Sequence, residues 1–117
     1  MAFGATGDAA VARKFYEDVL GLRFIEEHQW AIVFDAHGTM LRIQKVRDHE
    51  PQPFTMLGWT VPDAGAAVTE LAARGVRFES FGLPGQDERG IWAAPDGARV
   101  AWFKDPDGNV LSLTQLP

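Results

Sequence analysis

The pattern that most limits the fold is a repetition. Asp8 suits a helix N-cap and is followed by Val11, Phe15 and Val19 at helical spacing, with Gly21 placed as a stop. Asp63 is followed in the same way by Ala64, Ala67, Val68 and Leu71, with Gly75 as the stop. Setting the two aspartates against each other pairs Leu22-Arg23-Phe24 with Val76-Arg77-Phe78, within one residue of register. Each helix is preceded by one extended segment and followed by others, so the chain reads as two β-α-β-β-β units and its class as α+β.

The first unit takes in an extended start at Met1 to Thr6, a helix from about Ala9 to Leu20, and strands at Arg23 to Glu27, Trp30 to Asp35 and Thr39 to Val46. The second has strands at Phe54 to Val61, Val76 to Ser80, Ile91 to Ala94, Arg99 to Phe103 and Val110 to Thr114. Between them Arg47 to Pro53 (RDHEPQP) is charged, carries two prolines and lacks periodicity, which marks a linker. The expected organisation is a single domain over 1–117, with module one at about 1–50, the linker at about 47–53 and module two at about 54–117.

With 46% hydrophobic and 23% charged residues, a chain of 117 residues can bury a core of its own. It has no cysteine, which excludes disulfides, thiolate nucleophiles and cysteine-ligated metal sites. The formal net charge of −5 argues against nucleic acid or an anionic membrane as partner. No apolar run suits a signal peptide or a membrane span, so the expected location is cytoplasmic. Ser80 and Ser112 have no assignable base, and Gly82, Gly85 and Gly90 lack the strand-to-helix setting of a phosphate loop.

The last hairpin carries a second constraint. Asp105-Pro106-Asp107-Gly108 turns between Arg99–Phe103 and Val110–Thr114: proline presets φ at one corner and glycine accepts a positive φ at the other. In the final run Leu111 and Leu113 alternate with Ser112 and Thr114, so one face suits a core and the other water or a cavity. This DPDGN turn with its following strand resembles the end of the vicinal oxygen chelate superfamily, the glyoxalase, bleomycin-resistance and extradiol-dioxygenase group. Asp8, Phe15-Tyr16 and Val19-Leu20-Gly21-Leu22 resemble its opening. The resemblance implies two modules that curl a mixed sheet into a cup with helices outside, and a homodimer.

It also implies a metal ligand at about Met1, Arg42, Met56 and Ser112, and none of these residues is of the kind such a site needs. The expectation is therefore no cofactor. Should a divalent metal be used in a non-standard way, the candidates are His28, His37 and His49 with Asp35 or Glu79; all three histidines fall at turns or loops, where the ordinary state is solvated.

The positive signal is aromatic. Trp30, Trp59, Trp92 and Trp102 fall on predicted strands with Phe34, Phe54 and Phe103, and can either fill a core or line a pocket for a flat molecule. Arg42 sits among apolar neighbours; on an inward face it could pair with an anionic ligand or with Glu79, and on the outer face it is only solvated. The expected ligand set is Arg42, Met56, Trp59, Trp92, Trp102, Ser112 and Thr114, binding a small organic molecule. The alternative is a metal-dependent lyase, isomerase or dioxygenase. The Phe81 to Arg89 loop is placed to cover such a site.

Overall fold

A computed structural model covering residues 1–117 shows two four-stranded sheets and two helical segments. The elements in order are β1 (Ala2–Thr6), α1 (Ala9–Lys14) running into a π-helical turn at Phe15–Val19, β2 (Arg23–Glu27), β3 (Ala31–Ala36) and β4 (Thr39–Lys45). They continue as β5 (Thr55–Thr60), α2 (Ala64–Ala73), β6 (Trp92–Ala93), β7 (Arg99–Lys104) and β8 (Val110–Gln115). The strand orders are β1-β4-β3-β2 and β5-β8-β7-β6. In each sheet the strand before the helix pairs parallel with the last strand of its half, and the remaining pairs are antiparallel. The repeat is thus present in three dimensions, and neither sheet closes on itself.

Local chemistry sets the helix ends as expected. Asp8 Oδ1 accepts from Val11 N at 3.3 Å and Asp63 Oδ1 from Ala66 N at 3.1 Å, each satisfying a donor that the first turn leaves unpaired. Gly21 and Gly75 take φ of 71° and 95°, which a side chain would resist. The first helix departs from expectation at Phe15, where it widens into the π turn and Leu20 N bonds back to Phe15 O. The wider turn lets the adjacent Phe15 and Tyr16 both face the core, edge to face at 5.4 Å.

Alternation along the strands decides what the helices cover. Leu41 and Ile43 of β4, Ile32 and Phe34 of β3, Phe103 of β7 and Leu111 and Leu113 of β8 join Ala12, Tyr16 and Leu71 from the helices in one core. Each of the Leu, Ile and Phe side chains contributes about 1.5–3 kcal/mol on burial. Because this core draws on both sheets and both helices, the halves stabilise each other. The residues between these positions point to the opposite face, which carries no helix.

The DPDGN turn adds a polar tie between the halves. Tyr16 OH donates to Asp105 Oδ2 at 2.6 Å, and the same carboxylate accepts from Asn109 Nδ2, Asn109 N and Asp107 N. Asn109 Nδ2 also donates to Ala5 O at 2.8 Å, and Gly7 N donates to Asp107 Oδ1 at 2.8 Å. Burial, and next the negative Asp105, push the Tyr16 phenol well above its ordinary value.

Val76 to Ser80 does not form the expected strand. Only Phe78 bridges to Phe103, with Glu79 N donating to Trp102 O. The Gln86 side chain bonds Phe81 N, Glu79 O and Gly90 O, drawing the segment away from the ladder, and β6 occupies the rest of that edge.

Candidate functional site

The open faces of the two sheets hold most of the expected ligand residues, in two groups. In the first sheet the pairing runs Phe3, Arg42, Val33, Glu26 across β1, β4, β3 and β2. Arg42 is half-buried, and its Nη2 lies 3.2 Å from His28 Nε2. A guanidinium only donates, and Trp30 N likewise approaches Nδ1 as a donor at 3.3 Å, so a neutral His28 ring accepts from one of the two. None of the six ion pairs includes Arg42. Glu79, its alternative partner from sequence, lies instead 3.8 Å from Lys104. Arg42 therefore presents a positive charge with no carboxylate against it.

In the second sheet the equivalent row is Gly58, Ser112, Trp102. Trp102 packs against Trp92 at 6.1 Å and against Phe81 at 5.3 Å, forming an aromatic surface on the open face. The Trp92 indole is pinned by the loop before it, donating from Nε1 to Pro84 O at 3.0 Å. Ser112 is 8% exposed and its hydroxyl has no protein partner, yet it is not sealed from solvent. A Cβ at Gly58 would collide with Ser112 Oγ, so the glycine is what leaves room for this hydroxyl. Thr114 lies two residues further along the same face, opposite Val100 and Thr60.

Two expected ligand residues sit elsewhere. Trp59 pairs with Leu113 and meets Phe103 edge to face at 6.4 Å, on the helix side of the sheet. The cause is a bulge between Thr55 and Leu57. Without the extra residue Trp59 would fall opposite Thr114 on the open face, and the bulge moves it to the other side. Met56 is the bulged residue and lies at the seam of the two halves, against Gly4. Of the other aromatics, Phe34 and Phe103 are core, and Trp30 precedes β3 and is 69% exposed. Phe81 lies outside the expected ligand set and packs on Trp102 from the loop expected to act as a cover.

The candidate metal ligands are dispersed. His28 faces Arg42; His49 lies 2.8 Å from Asn109; His37 takes φ of 53° in the β3–β4 turn; Asp35 Oδ1 accepts from Gly38 N at 2.9 Å. No three His, Asp or Glu side chains converge. The family-type positions fit a divalent ion no better, because Met1, Arg42, Met56 and Ser112 offer thioethers, a cation and a hydroxyl in place of imidazole or carboxylate. No helix is long and apolar enough to cross a membrane.

The fold recurs in solved structures of low sequence identity. A glyoxalase family protein from Bacillus anthracis superposes with a TM-score of 0.78 at 19% identity, covering 99% of this chain and 92% of its own. A genomically encoded fosfomycin resistance protein from Listeria monocytogenes gives 0.76 at 13% identity, covering 99% and 90%. A lactoylglutathione lyase from Agrobacterium tumefaciens gives 0.69 at 19% identity, covering 98% and 92%. No curated protein sequence matches the chain. Residues 4–113, nearly the whole chain, match one family description, and the chain belongs to the Glyoxalase/Bleomycin resistance protein/Dioxygenase superfamily.

Proposed function

We propose that this protein binds a small, flat organic molecule on the open face of its second sheet and holds it without a metal centre. The observation that carries the reading is the cluster of Trp92, Trp102 and Phe81 beside the partnerless hydroxyl of Ser112. Stacked rings supply apolar area with a defined orientation, and a few hydroxyls, here Ser112 and Thr114, supply direction. Arg42 is the anchor for an anionic substituent when its sheet face meets that of the second half. In one chain these faces lie side by side, and the proposed homodimer would set the first half of one copy over the second half of the other. The apolar Met40 and Phe81, each at least 40% exposed, would be covered by that pairing.

The test is a titration with planar aromatic compounds, read by tryptophan fluorescence in the wild type and in Trp92→Phe and Trp102→Phe. Saturable quenching that either substitution weakens is expected. Fluorescence unresponsive to every compound would overturn the reading. Elemental analysis after incubation with nickel, zinc, manganese or iron(II) and desalting addresses the catalytic alternative, which near-stoichiometric retained metal would favour.

A further inference from the structure

At the seam between the halves, β1, the start of β5 and the β4–β5 connection enclose a cleft of about 280 Å³ that the aromatic surface does not reach. Phe3 and Phe54 stand at its sides, 53% and 62% exposed. Met56 lies folded against Gly4, where a Cβ would meet its methyl at 2.9 Å. The polar groups are the carboxamides of Gln44 and Gln52 and the His49–Asn109 pair. No Lys, Arg, Asp or Glu lines the cleft.

The hydrogen bonds determine which ring nitrogen of His49 carries the proton. Asn109 Nδ2 donates to Ala5 O and Asp105 Oδ2, which assigns the amide nitrogen and leaves Oδ1 as acceptor. His49 Nε2, 2.8 Å from that oxygen, is therefore the donor. The neutral ring then carries a bare lone pair on Nδ1, which has no protein partner and is not sealed from solvent. An imidazole oriented by a buried amide, which is itself held by Asp105, is a positioned acceptor.

We infer that this cleft is a second binding site, for a neutral, flat heteroaromatic molecule bearing an N–H donor of the lactam type. The N–H donates to His49 Nδ1, the ring lies between Phe3 and Phe54, and the remaining polar edge meets Gln44 and Gln52. The ligand is neutral because a charged one would lose hydration and find no counter-charge on the walls.

The probe is 2-quinolone, a neutral fused lactam, compared with N-methyl-2-quinolone, which has the same ring and no donor. Binding is followed by NMR of ¹⁵N-labelled protein. Saturable shifts at the Gly4, Phe54 and Asn109 amides and the His49 ring nitrogens are expected, with the N-methyl compound roughly tenfold weaker, the worth of one good hydrogen bond. His49→Ala should remove this discrimination, and Phe54→Ala, a change at an exposed residue, should weaken both compounds. Equal binding of the two compounds to the wild type would overturn the inference, as would shifts confined to the Trp92 and Trp102 indoles or none at all. Those indole signals report the open-face site separately.

Discussion

Row for row, Ala2, Leu41, Phe34 and Phe24 in the first sheet correspond to Leu57, Leu111, Phe103 and Phe78 in the second. One position along, Phe3, Arg42 and Val33 correspond to Gly58, Ser112 and Trp102. The first set faces the helices and keeps nearly the same chemistry in both halves; the second faces away and shares none. A core row must fill a fixed volume between sheet and helix, so its size and polarity are constrained twice over. The open row has no helix against it, and although Val33 and Ser112 are buried among their neighbours, its residues differ in charge, size and hydrogen-bonding capacity. The half with Arg42 offers charge and the half with Ser112 and Trp102 offers rings and a hydroxyl.

That contrast can be broken most directly by truncating both rows. Phe34→Ala and Phe103→Ala should each cost about 3–5 kcal/mol, whereas Arg42→Ala and Ser112→Ala should each cost less than about 1 kcal/mol, measured by chemical denaturation. Comparable losses on the two faces would mean that the open row is structural. Tyr16→Phe, at the tie between the halves, should cost about 1.5–3 kcal/mol, because it removes a hydrogen bond to a buried carboxylate.

The same tyrosine makes a pH prediction. Its folded pKa lies above the ordinary 10.0, so above about that pH the unfolded chain loses the phenolic proton while the folded chain keeps it. Stability is then lost as pH rises from there toward the folded pKa. Tyr16→Phe should flatten this loss in denaturation curves recorded across alkaline pH.

Gly58→Ala tests the open row of the second half, since its methyl would collide with Ser112 Oγ, and should cost about 1–3 kcal/mol. Adding Ser112→Ala should recover part of that loss, a coupling a double-mutant cycle would measure. The smallest effect is expected in the first half, where Lys45 bonds the Glu27 carboxylate at 2.9 Å and holds it below its ordinary 4.5. Its contribution is present above that value and fades as pH falls through the lower folded pKa. Glu27→Gln should change stability by less than about 1 kcal/mol at neutral pH, because the pair is solvent-accessible.

The sequence alone determined the features that depend on a few neighbouring residues. The Asp caps, the glycine stops, the DPDG turn and the repeat could be read because each is satisfied within its own segment, and the family resemblance rests on the same segments. Alternation also placed Leu111 and Leu113 on the opposite side from Ser112 and Thr114. What only the tertiary structure decided depends on partners far along the chain. Whether Trp59 joins Thr114 or Leu113 turns on a bulge at Met56, and one added residue inverts a strand's faces without altering its pattern. Val76 to Ser80 has the composition of a strand, but Gln86 and β6 take its place at the sheet edge. The tie from Tyr16 to Asp105 and the orientation of His49 by Asn109 bring together residues from opposite ends of the chain and its middle. Burial and hydrogen-bond geometry, which no local pattern encodes, set those contacts.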